Sequence, residues 1–134
     1  MNESLRLLDT NIWISLARGE HALTEQLRSM NAGQIASCSI VRAELMFGAR
    51  KSRRVAENLE GFRRLLEPFQ SLPFDDLAAA HYGLIRASLE RAGTLVGAND
   101  LLIASIALAN DCILVTRNHR EFERIVGLRV EIWP

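Results

Sequence analysis

One lysine, two cysteines and three histidines are all that the 134 residues contain of those types, and each shortage excludes something. Cys38 and Cys112 cannot build the multi-bridge framework of small secreted domains. Each sits in a short apolar stretch, IASCSI or DCILV, that reads as a buried reduced thiol. His21, His81 and His119 are not paired at ligand spacing, which argues against zinc. Net charge is also missing, because sixteen basic and sixteen acidic residues cancel, so bulk electrostatics does not announce a nucleic-acid binder. The longest nearly uninterrupted apolar run, Leu101 to Ala109, falls far short of the roughly 20 residues a bilayer span needs. The opening MNESLR resembles neither a secretory signal nor a transit peptide, so the expected location is the cytoplasm, with no membrane attachment. Repeats, low-complexity tracts and linkers are absent.

What is present is a hydrophobic fraction of 49%, enough to exclude intrinsic disorder, in a length that fits one domain over residues 1–134. The basic residues are almost all arginine. They cluster as Arg50-Lys51, Arg53-Arg54, Arg63-Arg64 and Arg117 with Arg120 and Arg124. Guanidinium forks suit phosphate, but solvated helix faces beside Glu57, Glu60 and Glu67 explain them equally well.

Apolar periodicity and breakers predict a strand over 5–9, helices over 11–18 and 21–30, a strand over 35–38 and a helix from Ser39 to about Arg50. A second helical arm is expected from Arg53 to Leu66, stopped by Pro68, so that 39–67 forms a helical arm on the domain. A strand near Gln70 to Phe74 follows, then a helix over Leu77 to Arg91 capped by Asp75-Asp76, and a strong helix from Asp100 to about Asn110. Strands over Ile113–Thr116 and Leu128–Ile132 flank a short helical turn around Glu121. Strands separated by helices predict a three-layer α/β/α sandwich with a mostly parallel sheet, in which ligands bind beyond the carboxyl ends of the strands.

Four acids fit their surroundings poorly. Asp9 ends the run LRLLD at a strand end. Glu44 falls on the apolar stripe of Ile40, Ala43 and Phe47, Asp100 begins the stripe of Ile103, Ala104 and Ala107, and Glu121 follows a strand end. Each has a bland explanation: Asp9 and Asp100 as helix caps, Glu44 paired with Arg42 or Arg50, Glu121 paired with Arg117 or Arg124. A divalent metal held by converging carboxylates explains all four together. Oxygen-only ligation suits Mg²⁺ or Mn²⁺.

These residues resemble a known family. Leu7-Leu8-Asp9-Thr10-Asn11, the acid in Arg42-Ala43-Glu44-Leu45, Gly97-Ala98-Asn99-Asp100-Leu101-Leu102-Ile103-Ala104, and Thr116-Arg117-Asn118 before Glu121-Phe122 are similar to the blocks of PIN-domain ribonucleases, and most similar to VapC toxins of VapBC toxin-antitoxin pairs. The resemblance spans Leu5 to Trp133, with the blocks in family order. It implies a toxin that is a Mg²⁺- or Mn²⁺-dependent endoribonuclease, cutting single-stranded or loop RNA with water activated by the metal. Asp9, Glu44, Asp100 and Glu121 would be catalytic and metal-binding, with glutamate at 121 where aspartate is more usual. Thr10, Asn11, Thr116 and Asn118 would support them. Arg117, Arg120, Arg50 and Lys51 would contact RNA phosphates. A cognate VapB-type antitoxin and homodimerisation are implied partners.

Three other readings are weaker. A haloacid-dehalogenase-like phosphatase expects a second aspartate two residues after Asp9, where Asn11 stands. A receiver domain expects a late lysine, whereas Lys51 is the sole lysine. A catalytically inactive PIN-like module that binds RNA or a partner is the main alternative.

Overall fold

The computed structural model describes residues 4–134. Its strands are β1 (Arg6–Leu8), β2 (Ile35–Cys38), β3 (Gln70–Leu72), β4 (Ile113–Thr116) and β5 (Arg129–Ile132). They form one sheet in the order β3-β2-β1-β4-β5, every pair parallel. Leu7, Leu8, Ala36, Leu114 and Val115 are fully buried, as expected of parallel strands covered on both faces.

The helices are α1 (Thr10–Ala17), α2 (His21–Arg28), α3 (Ser39–Lys51), α4 (Val55–Leu66), α5 (Asp76–Ala92), α6 (Ala98–Ala109) and α7 (His119–Phe122). From β1 the chain moves outward through β2 to β3, then returns across the sheet to β4 and β5. Right-handed crossovers therefore put α1 to α4 on one face and α5 to α7 on the other, giving the expected three layers. The strand order reverses between β1 and β4. Their carboxyl ends open a crevice there, and Asp9 and Thr116 stand at its mouth.

Element boundaries shift from the sequence expectation for identifiable reasons. β1 stops at Leu8 because Asp9 already caps α1, its carboxylate accepting from the Ile12 N–H. β3 stops at Leu72 because Pro73 brings no N–H to continue a ladder. α6 starts at Ala98, two residues before the expected Asp100, since the Gly97 carbonyl accepts the Leu101 N–H. Asp75 does cap α5, its Oδ1 accepting from Ala78 N at 3.0 Å, and Gly93 ends that helix at φ 71°, a left-handed geometry that glycine adopts without strain. Asp75→Ala should cost about 1 kcal/mol, read as a lowered urea midpoint with an unchanged slope. An unchanged midpoint would mean that the cap contributes nothing.

Cys38 and Cys112 are free and buried. Among the described residues no helix is long and apolar enough to cross a membrane.

Candidate active site

The crevice gathers the four acids from four different elements. Asp9 is 6% exposed. Its Oδ1 accepts from Ile12 N at 3.1 Å and its Oδ2 from the Thr116 hydroxyl, which in turn accepts from Asn118 N. Glu44 reaches over from α3. Its Oε1 accepts from the Thr10 hydroxyl and its Oε2 from Asn99 Nδ2 at 3.1 Å. Asp100, in the first turn of α6, shares a hydrogen bond with Glu121. Glu121 in turn accepts from Gly97 N, and its other oxygen lies 3.5 Å from Asn118 Nδ2.

The electrostatics follow from this crowding. Asp100 is pushed up to about 7, first by burial, then by its hydrogen bond with Glu121 and the charges of Glu121, Asp9 and Glu44. Burial also raises Asp9, and Glu44 adds to that, while Thr116, the Ile12 N–H and the nearby Arg117 charge pull the other way. Among the described residues no arginine or lysine forms an ion pair with any of the four. The donors that hold Asp9, Glu44 and Glu121 are neutral side chains and backbone N–H groups.

Three of the bland explanations fail. Asp100 is not a cap, since Gly97 holds that position. Glu44 bonds Thr10 and Asn99, while Arg42 donates to Ser71 Oγ. Glu121 is not paired with Arg124, which donates to the Leu95 carbonyl, nor with Arg117. Asp9 does cap α1, and the same carboxylate lines a cleft. Thr10, the first residue of α1, turns its hydroxyl to Glu44.

The basic residues separate. Arg117 is committed to Glu20 at 2.7 Å, to Ser15 Oγ and to the Pro134 carbonyl, though it still lines a cleft of about 450 Å³ with Asp9, Asn11, Arg18 and Asn118. Arg120 is exposed on α7. Arg50 lies elsewhere, on the rim of a groove between α3 and α4, and the Lys51 ammonium sits 5.1 Å from the Phe47 ring centroid. Arg18 and Asn99 were missed in the sequence. Arg18 follows the end of α1 without a motif, and the partner of Asn99 is distant in the chain.

Among the described residues no three acidic, histidine or cysteine side chains converge as a ready metal cage. Asp9, Glu44 and Glu121 rest on neutral donors, and Asp100 on its hydrogen bond with Glu121. The donor chemistry nevertheless suits a hard divalent cation: oxygen ligands only, no competing cation bound to them, and mutual repulsion that positive charge would relieve.

The chain matches known proteins over nearly its whole length. The PIN domain family model matches residues 6–128. The chain is 39% identical over 127 residues to the tRNA(fMet)-specific endonuclease VapC of Shigella flexneri, covering 95% of this chain and 96% of the relative. It is also 39% identical to ribonuclease VapC2 of Haemophilus influenzae, with the same coverage. Among solved structures, VapBC2 from Rickettsia felis bound to a promoter DNA fragment superimposes with a TM-score of 0.92 at 35% identity, covering 97% of this chain and 99% of that one. DNA-bound VapBC from Salmonella typhimurium gives 0.91 at 36%, covering 98% and 100%.

Proposed function

The chain belongs to the PIN-domain family and, within it, to the VapC ribonucleases, and from that premise we propose that it is a metal-dependent endoribonuclease acting as the toxin of a toxin-antitoxin pair. One observation carries the reading: Asp9, Glu44, Asp100 and Glu121 surround the switch point of a parallel sheet close enough for their charges to act on one another, with Asp100 driven to about 7 and, among the described residues, no ion pair to any of them. Acids kept only for stability would be paired; these destabilise one another.

Asp9, Glu44, Asp100 and Glu121 would hold Mg²⁺ or Mn²⁺, which supplies Lewis acidity toward the attacked phosphate and the attacking water. Thr116 and the Ile12 N–H fix the Asp9 carboxylate, and Gly97 fixes Glu121. Asp100 carries a proton near neutrality that must leave before its carboxylate can ligate. Metal affinity should therefore rise with pH through about 7. Isothermal titration with Mn²⁺ from pH 6 to 8 checks this; an affinity independent of pH would remove Asp100 from the ligand set.

Arg18, Asn11 and Asn118 border the cleft beside Asp9 and offer contacts for the flanking RNA backbone. Unpaired loops suit such an open site. The name of the Shigella flexneri relative makes tRNA(fMet) the first substrate to offer.

The partner would be an antitoxin of the VapB kind, as in the VapBC structures. Its tail would lie in the groove of about 470 Å³ between α3 and α4, where Met46, Leu59 and Phe62 form the floor and Arg42, Arg50 and Arg63 the rim. Leu45 beside it is 2% exposed and belongs to the core, whereas Met46 and Phe47 are exposed. Homodimerisation is part of the same reading.

The test is cleavage of labelled tRNA(fMet) and other structured RNAs by purified chain freed of any partner. Cutting with Mg²⁺ or Mn²⁺ that stops in EDTA supports the proposal. Undiminished cutting in EDTA overturns its metal component.

A further inference from the structure

Glu44 owes its orientation to two donors, one of which had no assigned purpose in the sequence. We propose that Asn99 is a positioning residue for the reaction, fixing the plane of the Glu44 carboxylate from the helix that carries Asp100. The inference rests on the metal-nuclease reading above.

Asn99 and Asp100 are successive residues in the first turn of α6, so their side chains diverge by about 100° around the helix axis. Asp100 goes to Glu121, and Asn99 goes to Glu44. One helix start thus serves two acids on different elements.

The terminal torsion of a glutamate is soft, and a carboxylate held by one oxygen swings freely about it. Glu44 is held by both, Oε1 from Thr10 on α1 and Oε2 from Asn99 on α6. The amide also has the right charge. An arginine at this position would neutralise Glu44 and compete with a cation, whereas asparagine donates a hydrogen bond and leaves the site's charge and the remaining lone pairs intact. Asn99 is exposed and donates no other side-chain bond among the described residues, so its removal should leave the fold intact.

The experiment is a double-mutant cycle read by Mn²⁺ affinity without RNA, using wild type, Asn99→Ala, Glu44→Gln and the double variant, with melting in EDTA as a folding control. Partners that orient a ligating carboxylate are worth about 10- to 100-fold in metal affinity. Asn99→Ala should weaken Mn²⁺ binding about tenfold, leave the EDTA melting temperature unchanged, and have no further effect once Glu44 is Gln. Asn99→Gln, which keeps the donor, should recover part of the loss. Equal weakening by Asn99→Ala in both backgrounds, or none, overturns the assignment. If Glu44→Gln weakens binding but Asn99→Ala does not, the Asn99 role alone fails; if Glu44→Gln itself binds Mn²⁺ like wild type, the site reading fails and the inference with it.

Discussion

Asp9→Asn should abolish RNA cleavage while leaving the protein folded, an outcome that separates a nuclease from a binding module with the same fold. The substitution removes a charge and keeps the shape. Asparagine caps a helix about as well as aspartate, so the acceptor for the Ile12 N–H survives and α1 keeps its start. A bound divalent ion supplies several kcal/mol of charge stabilisation in the transition state, and each 1.36 kcal/mol is tenfold in rate. Loss of a principal ligand should cost about a thousandfold or more in single-turnover cleavage. In EDTA the variant should melt no lower than wild type, because burial and the Glu44 charge already disfavour the Asp9 carboxylate. An active, metal-dependent Asp9→Asn protein would show that Asp9 is only a cap.

Asp100→Asn should raise stability in EDTA even as it removes activity. In the metal-free protein the Asp100 carboxyl stands at about 7 against an ordinary 3.8. The native state therefore binds more protons than the unfolded chain between those values. By linkage, the stability associated with this group is complete below about pH 4, falls as pH rises toward 7, and stays low above it. Asparagine cannot ionise, so the variant lacks that fall. A negative charge in the first turn of α6 does favour the helix, but by at most about 1 kcal/mol, and burial with three neighbouring acids outweighs it.

Solvent reaches the site and screens part of the repulsion, so the gain at pH 8 is on the order of 1 kcal/mol. Urea unfolding at pH 5 and pH 8 in EDTA measures it. Mg²⁺ or Mn²⁺ should reverse the order, stabilising wild type by mass action and the variant little. A variant less stable than wild type at pH 8 in EDTA would mean that Asp100 makes a favourable structural contact.

Most of the fold was legible because its signals are local. Apolar spacing marked α3, α5 and α6, and Asp75 and Gly93 bounded α5, whereas the expected strand to Phe74 overran Pro73, where β3 has already ended. The acids were legible as misfits, since a carboxylate on an apolar stripe stands out without a partner in view. The donors were not: a threonine, an asparagine or a backbone N–H looks the same in sequence whether it faces water or a carboxylate. Arg117 shows the converse. Its place in the motif points to RNA, yet its guanidinium is held by Glu20 and the Pro134 carbonyl.

By itself the sequence determined the kinds of elements, their order and the four acids, because periodicity, capping and polarity act over a few residues. Only the tertiary structure decided which donor holds which acid. Thr10 and Glu44 are 34 positions apart, Asn99 and Glu44 55, and Asp9 and Thr116 107. Chain reversal at the β1–β4 switch point brings these groups together, and no local propensity encodes that distance.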